Sequence, residues 1–275
     1  MLVYIRSFSI KRVYMKNIVH IVGGICFLML ASTPYVLAMD IVLTTGIHEP
    51  LVDNENREGF VESVLEEAFR RIGMRALIEI EPSKLSLINA NSGKDDGVAL
   101  RIKGIDEKYK NLVRVPEVIM CSEFIAYSKE NITTLKSWSD LNKYSVSHVN
   151  GWRIFERNLG NRKNVRKSDS ARQLFTMLRD DRTEVVLYEK WQGKVLAQQV
   201  GLQDIKENKL PISAKRMYIY LHKKHASIIA SVASAMREMK SDGTYQRIYN
   251  STLSQYADKA GTDRGYQQQM LSNCE

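Results

Sequence analysis

Residues 94–128, KDDGVALRIKGIDEKYKNLVRVPEVIMCSEFIAYS, decide how the rest of the chain is read. The apolar run 97–100 predicts a short buried strand that runs out into a polar turn carrying Arg101 and Lys103. A second apolar run, 123–128, then leaves toward a new part of the chain. A strand end that opens onto a cationic loop beside a domain crossing is where an α/β protein places its ligand.

Upstream, the β-branched and apolar stretch 40–45 predicts a first strand, and 46–51 an irregular loop. Val61, Val64, Leu65, Ala68 and Ile72 recur at helical spacing, closed by Gly73. Alternation over 76–81 predicts a strand. Pro82-Ser83 opens a short helix with Leu85 and Ile88 facing inward, stopped by Asn91-Ser92-Gly93. A βαβαβ order of this kind implies a parallel sheet with helices on both faces.

Downstream, the pattern begins again. Ser137 to Leu141 reads as a capped turn, 144–149 as a strand, and Asn150-Gly151-Trp152-Arg153 turns into a helix over 154–159. Ser168-Asp169-Ser170 caps a helix bearing Leu174, Met177 and Leu178. A buried strand at 184–188 and a helix over 191–200 follow, and 215–221 predicts a strand that carries the chain back. Ile228, Ile229, Val232, Ala235, Met236 and Met239 mark a long amphipathic helix, and 244–249 a last short one. The expected fold class is α/β and two-lobed: two parallel-type sheets flanked by helices, hinged by two crossing strands. Lobe 1 is assigned to 39–126 and 220–255, lobe 2 to 127–219, and a polar tail to 256–275.

The first 38 residues stand apart. Arg6, Lys11, Arg12 and Lys16 precede an apolar core from Ile18 to Leu30, with no acidic residue among them, and Val36-Leu37-Ala38 offers a cut before Met39. That is the layout of a cleaved secretory signal, with translation starting at Met1 or Met15. The core of 13 residues falls short of the roughly 20 that span a membrane. Gly24-Ile25 before Cys26 does not suit a lipid anchor. The expected address is the periplasm.

Removal of this segment leaves 237 residues and lowers the net charge from +9 to +5, spread along the chain. A mild, dispersed positive charge suits anionic small molecules and argues against a nucleic-acid partner. Cys121 and Cys274 remain; with Cys274 one residue from the end of a polar tail, they are expected as two unlinked thiols. His222-Lys223-Lys224-His225 is the one close histidine pair, and the lysines between disfavour a cation, so neither metal nor cofactor is expected.

With these elements in order, the chain resembles the periplasmic solute-binding proteins of polar amino-acid ABC transporters (family 3). The likeness covers nearly all of 40–250. It is carried by Gly59-Phe60-Val61 and Arg71-Ile72-Gly73 around the first helix, by Asp96-Gly97-Val98, by Leu135-Lys136-Ser137-Trp138-Ser139-Asp140-Leu141, and by the run from Met239 to Tyr249 with its central Asp242-Gly243-Thr244. The resemblance implies a monomer that binds and does not transform a small-molecule ligand. Its lobes close over the ligand by hinge motion, and a membrane permease is the implied partner.

The departures from that family fall at the ligand. Its members carry a Ser/Thr-rich stretch and then an arginine after the third strand; here 100–108 reads LRIKGIDEK, with Lys108 at the arginine's place and Arg101 much earlier. Trp152-Arg153 stand where small hydroxyl residues often sit, and Glu189 lies near the amino-binding aspartate with one extra methylene. The ligand is therefore read as anionic or zwitterionic, without further identity.

The candidate ligand-binding residues are Leu100 and Arg101 at the third strand's end, Gly151, Trp152 and Arg153 at a helix start, His48 and Glu49 in the first loop, and Glu189. Arg101 offers a planar fork to a carboxylate or phosphate, against the plain alternative of a surface arginine. Gly151, Trp152 and Arg153 combine free amides with a cation. One such contact contributes about 0.3–1 kcal/mol, whereas micromolar binding needs about 8 kcal/mol, so both lobes must contribute. Trp152 either stacks on the ligand or plugs the helix start; Glu189 either holds a cationic group or caps a helix. Trp138 and Trp191 read as packing residues. Two other classes compete: a sensory or accessory binding protein without transport, and a periplasmic dehydratase or hydrolase using Glu49, Glu189 or His48. The sequence holds no nucleophile elbow, Ser/His/Asp order or metal motif in favour of the enzyme.

Overall fold

The computed structural model describes residues 39–53, 55–132, 135–257 and 274. The segment 1–38 read as a secretory signal, and most of the tail at 256–275, lie outside the described residues.

The first array runs β1 (Asp40–Thr45), α1 (Phe60–Arg71), β2 (Arg75–Ile80), α2 (Ser83–Ser92) and β3 (Gly97–Arg101). β2 and β3 flank β1, both parallel to it. α1 begins where Gly59 adopts an extended conformation and the Glu62 carboxylate accepts the N–H groups of Gly59 at 3.2 Å and Asp53 at 2.7 Å. Val61, Val64, Leu65 and Ala68 form its buried stripe. After β4 (Leu112–Arg114) and β5 (Met120–Ser128) the second array follows: β6 (Val146–Val149), α3 (Arg153–Leu159), β7 (Val165–Ser168), α4 (Ala171–Arg179), β8 (Val185–Glu189) and α5 (Lys190–Gln199). The two-residue β9 (Lys206–Glu207), β10 (Ser213–His222), α6 (Ile229–Ser241) and α7 (Thr244–Thr252) complete the chain.

The strands lie in the order β2-β1-β3-β10-β5-β8-β6-β7, with β4 on β10 and β9 on β5. β10 joins the two halves. Its residues Ser213 to Met217 pair antiparallel with β5, and Tyr218 to Leu221 pair antiparallel with β3. β5 then passes to β8, which is parallel to β6, as β6 is to β7. β5 and β10 are thus the two crossing strands. Each half has its own core. Ile41, Leu43, Phe60, Leu65 and Met236 belong to the first lobe. In the second, Phe124, Val146 and Phe155 cover one sheet face, and Tyr127, Phe175 and Val186 the other.

Two expectations are corrected. α2 turns the opposite face inward: Ser86, Asn89 and Ala90 are buried, while Leu85 and Ile88 are 45% and 49% exposed. Polar ties set this rotation, because Ser86 Oγ accepts from Arg101 and Asn89 Nδ2 donates to Glu81. At the helix end, the Asn91 side chain and carbonyl accept from Asn111. The cysteines, expected as free thiols, form a disulfide between Cys121 and Cys274 with their Cα atoms 6.0 Å apart. Both are buried in the first lobe's core, so the tail ends on a small apolar anchor that its polar composition conceals.

Candidate functional site

In the first lobe, β1, β2 and β3 run parallel, so the loop after β1, the start of α2 and the end of β3 share one edge of the sheet. Gly46 brings them close: a Cβ there would lie 2.1 Å from Ser83 Oγ. β3 ends in a bulge. Val98 and Arg101 oppose Tyr220 and Tyr218, so Ala99 and Leu100 together face Ile219. Leu100 takes the left-handed region at φ 53°, which costs a non-glycine residue about 1–2 kcal/mol. Its side chain, expected at the ligand, is instead buried in the core.

The bulge turns Arg101 onto α2. Nη2 donates to Ser86 Oγ at 2.6 Å and to the Ser83 carbonyl at 3.3 Å, while Nε is buried without a partner. No carboxylate lies within ion-pair distance among the described residues, and burial lowers its pKa to about 10. The Tyr220 hydroxyl fixes the turn that follows, donating to the Ile102 carbonyl and accepting from the Gly104 N–H.

In the second lobe, the parallel β6 and β8 bring 150–153 and 189–192 to one edge. Gly151 makes the turn at φ 84°, and its N–H donates to Glu156 Oε1 at 3.1 Å. The amide expected to meet an anion is therefore already engaged within the chain. Trp152 is half-buried, stacked on Tyr188 at 4.6 Å and on Phe155 at 5.6 Å, with Phe124 edge-on. Arg153 is exposed and has no hydrogen bond or ion pair among the described residues.

Glu189 ends β8 and caps α5. Its Oε2 accepts from the Gln192 N–H at 3.0 Å and from Gln192 Nε2 at 3.3 Å; its Oε1 is buried without a partner. Burial pushes the carboxyl up to about 7, against the pull of the Gln192 bonds and of the Trp191 backbone N–H. Gln192 reaches the first lobe, where its Oε1 accepts the His48 N–H at 3.1 Å. His48 and Glu49 are exposed, and Glu49–Pro50 is a cis peptide. Lys190 pairs with Glu123 of β5 at 2.8 Å, and Trp191 packs into the first lobe's core beside Tyr249.

The structure thus links His48 and Glu189 through Gln192 and sets Trp152 against Tyr188, the residue before Glu189. It joins neither Arg101 nor Arg153 to that group by any hydrogen bond. Gln192, Ser83 and Ser86 escaped sequence reasoning. An acid at a helix start followed three positions later by glutamine was the available signal for Gln192; the serines gave none. Among the described residues no three His, Cys, Asp or Glu side chains are placed to hold a metal ion.

No family model matches the chain. An uncharacterised protein of Shewanella oneidensis MR-1 is 24% identical over 210 residues, covering 73% of this chain and 78% of that one. Among solved structures, the GluR0 ligand-binding core in complex with L-glutamate superposes with a TM-score of 0.67 at 14% identity, covering 80% of this chain and 100% of that one. A histidine kinase sensor domain with similarity to periplasmic binding proteins gives 0.66 at 13%, covering 79% and 96%. The substrate-binding protein of an amino-acid ABC transporter gives 0.61 at 17%, covering 78% and 99%. The chain has the two-lobed, periplasmic-binding-protein-like α/β fold.

Proposed function

We propose that this chain is an exported solute-binding protein that captures a small anionic or zwitterionic ligand between its lobes and serves ABC-type uptake. The observation that carries the reading is a pair of opposite, unsatisfied groups: Arg101 Nε in the first lobe and Glu189 Oε1 in the second, each buried without a hydrogen-bond partner. Leaving a buried polar atom unpaired costs about 1–3 kcal/mol, more for a charged group. A ligand carrying a carboxylate and an ammonium group offers a partner of the right sign to each. Trp152, half-buried and stacked on Tyr188, supplies an apolar surface of the second lobe. The amino-acid-binding proteins of the same fold, one crystallised with L-glutamate, support this choice.

Sensing without transport is the second reading, favoured by the likeness to the kinase sensor domain. Both readings require the same ligand site. A thermal-shift screen of amino acids, small anions and short peptides tests it, since a binder raises the melting temperature by mass action. Arg101→Ala removes the shift produced by an acidic ligand, and Glu189→Gln the shift that depends on an ammonium group. No binder in the screen, or shifts indifferent to both substitutions, rejects the assignment. Co-purification with a membrane permease separates uptake from sensing.

A further inference from the structure

We propose that Gln192 is a positioning residue that relays the charge state of Glu189, in the second lobe, to the loop after β1 in the first. The relay rests on the ligand site proposed above, and it deepens that reading by giving the site a device that reports on its own occupancy.

The geometry allows one arrangement of the amide. Nε2 can only donate and Oε1 can only accept. With the Glu189 carboxylate on one side and the His48 N–H on the other, the carboxamide has a single satisfied orientation. Gln192 is fully buried, so water does not stand in for either partner. The residues it joins, at positions 48 and 189, come from different lobes.

An ionised Glu189 holds both Gln192 N–H groups through charge-assisted bonds, about twice as strong as neutral ones. Its free Oε1 is the atom where a proton or a ligand cation acts, with opposite results. A ligand ammonium keeps the carboxylate ionised and the amide aligned on His48. A proton weakens the grip and slackens the link to the first lobe. The other charged and titratable groups acting on Glu189 are Glu123 of β5, itself held by Lys190 of α5, and Tyr188, kept neutral by burial; His48 meets Gln192 through its backbone N–H. Both states of Glu189 are populated near neutral pH, because burial holds its pKa at about 7.

The test follows the backbone amide of residue 48 by ¹⁵N–¹H NMR on the ligand-free folded protein, from about pH 5.5 to about 8.5, a window that brackets this carboxyl. A His48→Asn background removes the imidazole's own titration. The amide shift is expected to move in one step with a midpoint near that of Glu189. The step is lost on adding Glu189→Gln. It is also lost on adding Gln192→Met, while the ¹³C resonance of the Glu189 carboxyl still titrates. Should the methionine variant fail to fold, Gln192→Glu places a second carboxylate beside Glu189, and the midpoint moves upward. A flat trace in the background protein, a step that survives Gln192→Met, or an unmoved midpoint in Gln192→Glu overturns the relay. The measurement uses no ligand, so its failure leaves the thermal-shift screen intact, and an empty screen leaves this result standing.

Discussion

Arg101 donates to Ser86 Oγ at 2.6 Å, a neutral partner for a guanidinium that meets no carboxylate among the described residues. A buried charge without a counter-ion destabilises the fold that holds it. Arg101→Met keeps the length and removes the charge. Urea denaturation of the ligand-free variant is expected to show a change within about 1.5 kcal/mol in either direction, while the thermal shift from an acidic ligand disappears. Arg101→Lys retains the charge without the planar fork, and should bind such a ligand more weakly. A loss of several kcal/mol in Arg101→Met would mean that the arginine serves the fold alone.

Glu189 gives the protein a pH dependence of defined sign. Its carboxyl titrates at about 7 in the folded protein against an ordinary value of 4.5. The folded state therefore binds the extra proton between these limits. The contribution of this group to stability is highest below the lower limit, falls as pH rises toward the upper one, and is flat beyond. Glu189→Gln should be more stable than the native protein at pH 8 by up to about 3 kcal/mol, and this advantage should shrink as the pH falls toward 5. Urea midpoints at the two pH values measure it.

Trp152 lies between Tyr188 and Phe155 and is only half-buried. Trp152→Ala removes both stacks and should cost about 2–4 kcal/mol. Trp152→Phe preserves an aromatic ring on Tyr188 and should stay within about 1.5 kcal/mol. If Trp152 also walls the ligand, the phenylalanine variant keeps its stability yet loses the change in tryptophan emission that a binder produces. Chemical denaturation and fluorescence titration of the same two variants separate these roles.

The disulfide closes a loop across a sequence separation of 153 residues. By the chain-entropy account such a loop restrains the unfolded chain by up to about 5 kcal/mol. Paired substitution to Cys121→Ser and Cys274→Ser, or treatment with a thiol reductant, should lower the melting temperature without altering the ligand-free secondary structure. Scanning calorimetry with and without reductant gives the difference, which should vanish in the serine variant.

Much of this architecture was legible because periodicity reports burial. The strand at 40–45, the α1 stripe of Val61, Val64, Leu65 and Ala68, and the return strand that became β10 all bury the residues their spacing marks. α2 was misread because Ser86 and Asn89 bond to Arg101 and Glu81, distant partners that no local pattern announces. The three-residue β4 and two-residue β9 are too short to carry a period, and β7 begins with one partly buried valine among exposed cations. In the site, strand ends located Arg101 and Glu189, but not the bulge at Leu100 that redirects the arginine. The contact from Gln192 to His48 spans 144 residues and follows only from the docking of α5 against the first lobe. Cys274 was misjudged by its neighbours, since a polar surrounding sequence says nothing about where a single sulfur comes to rest.

The bond from Cys121 to Cys274 has a consequence for how the molecule ages under proteolysis. Every peptide link from residue 122 to 273 belongs to a closed covalent circle that contains all of the second lobe. A protease that nicks any one of those links opens the circle but liberates no fragment, so the cut molecule keeps its mass and travels as one band until a thiol is added. Shedding a piece takes a cut outside the circle or a double cut within it.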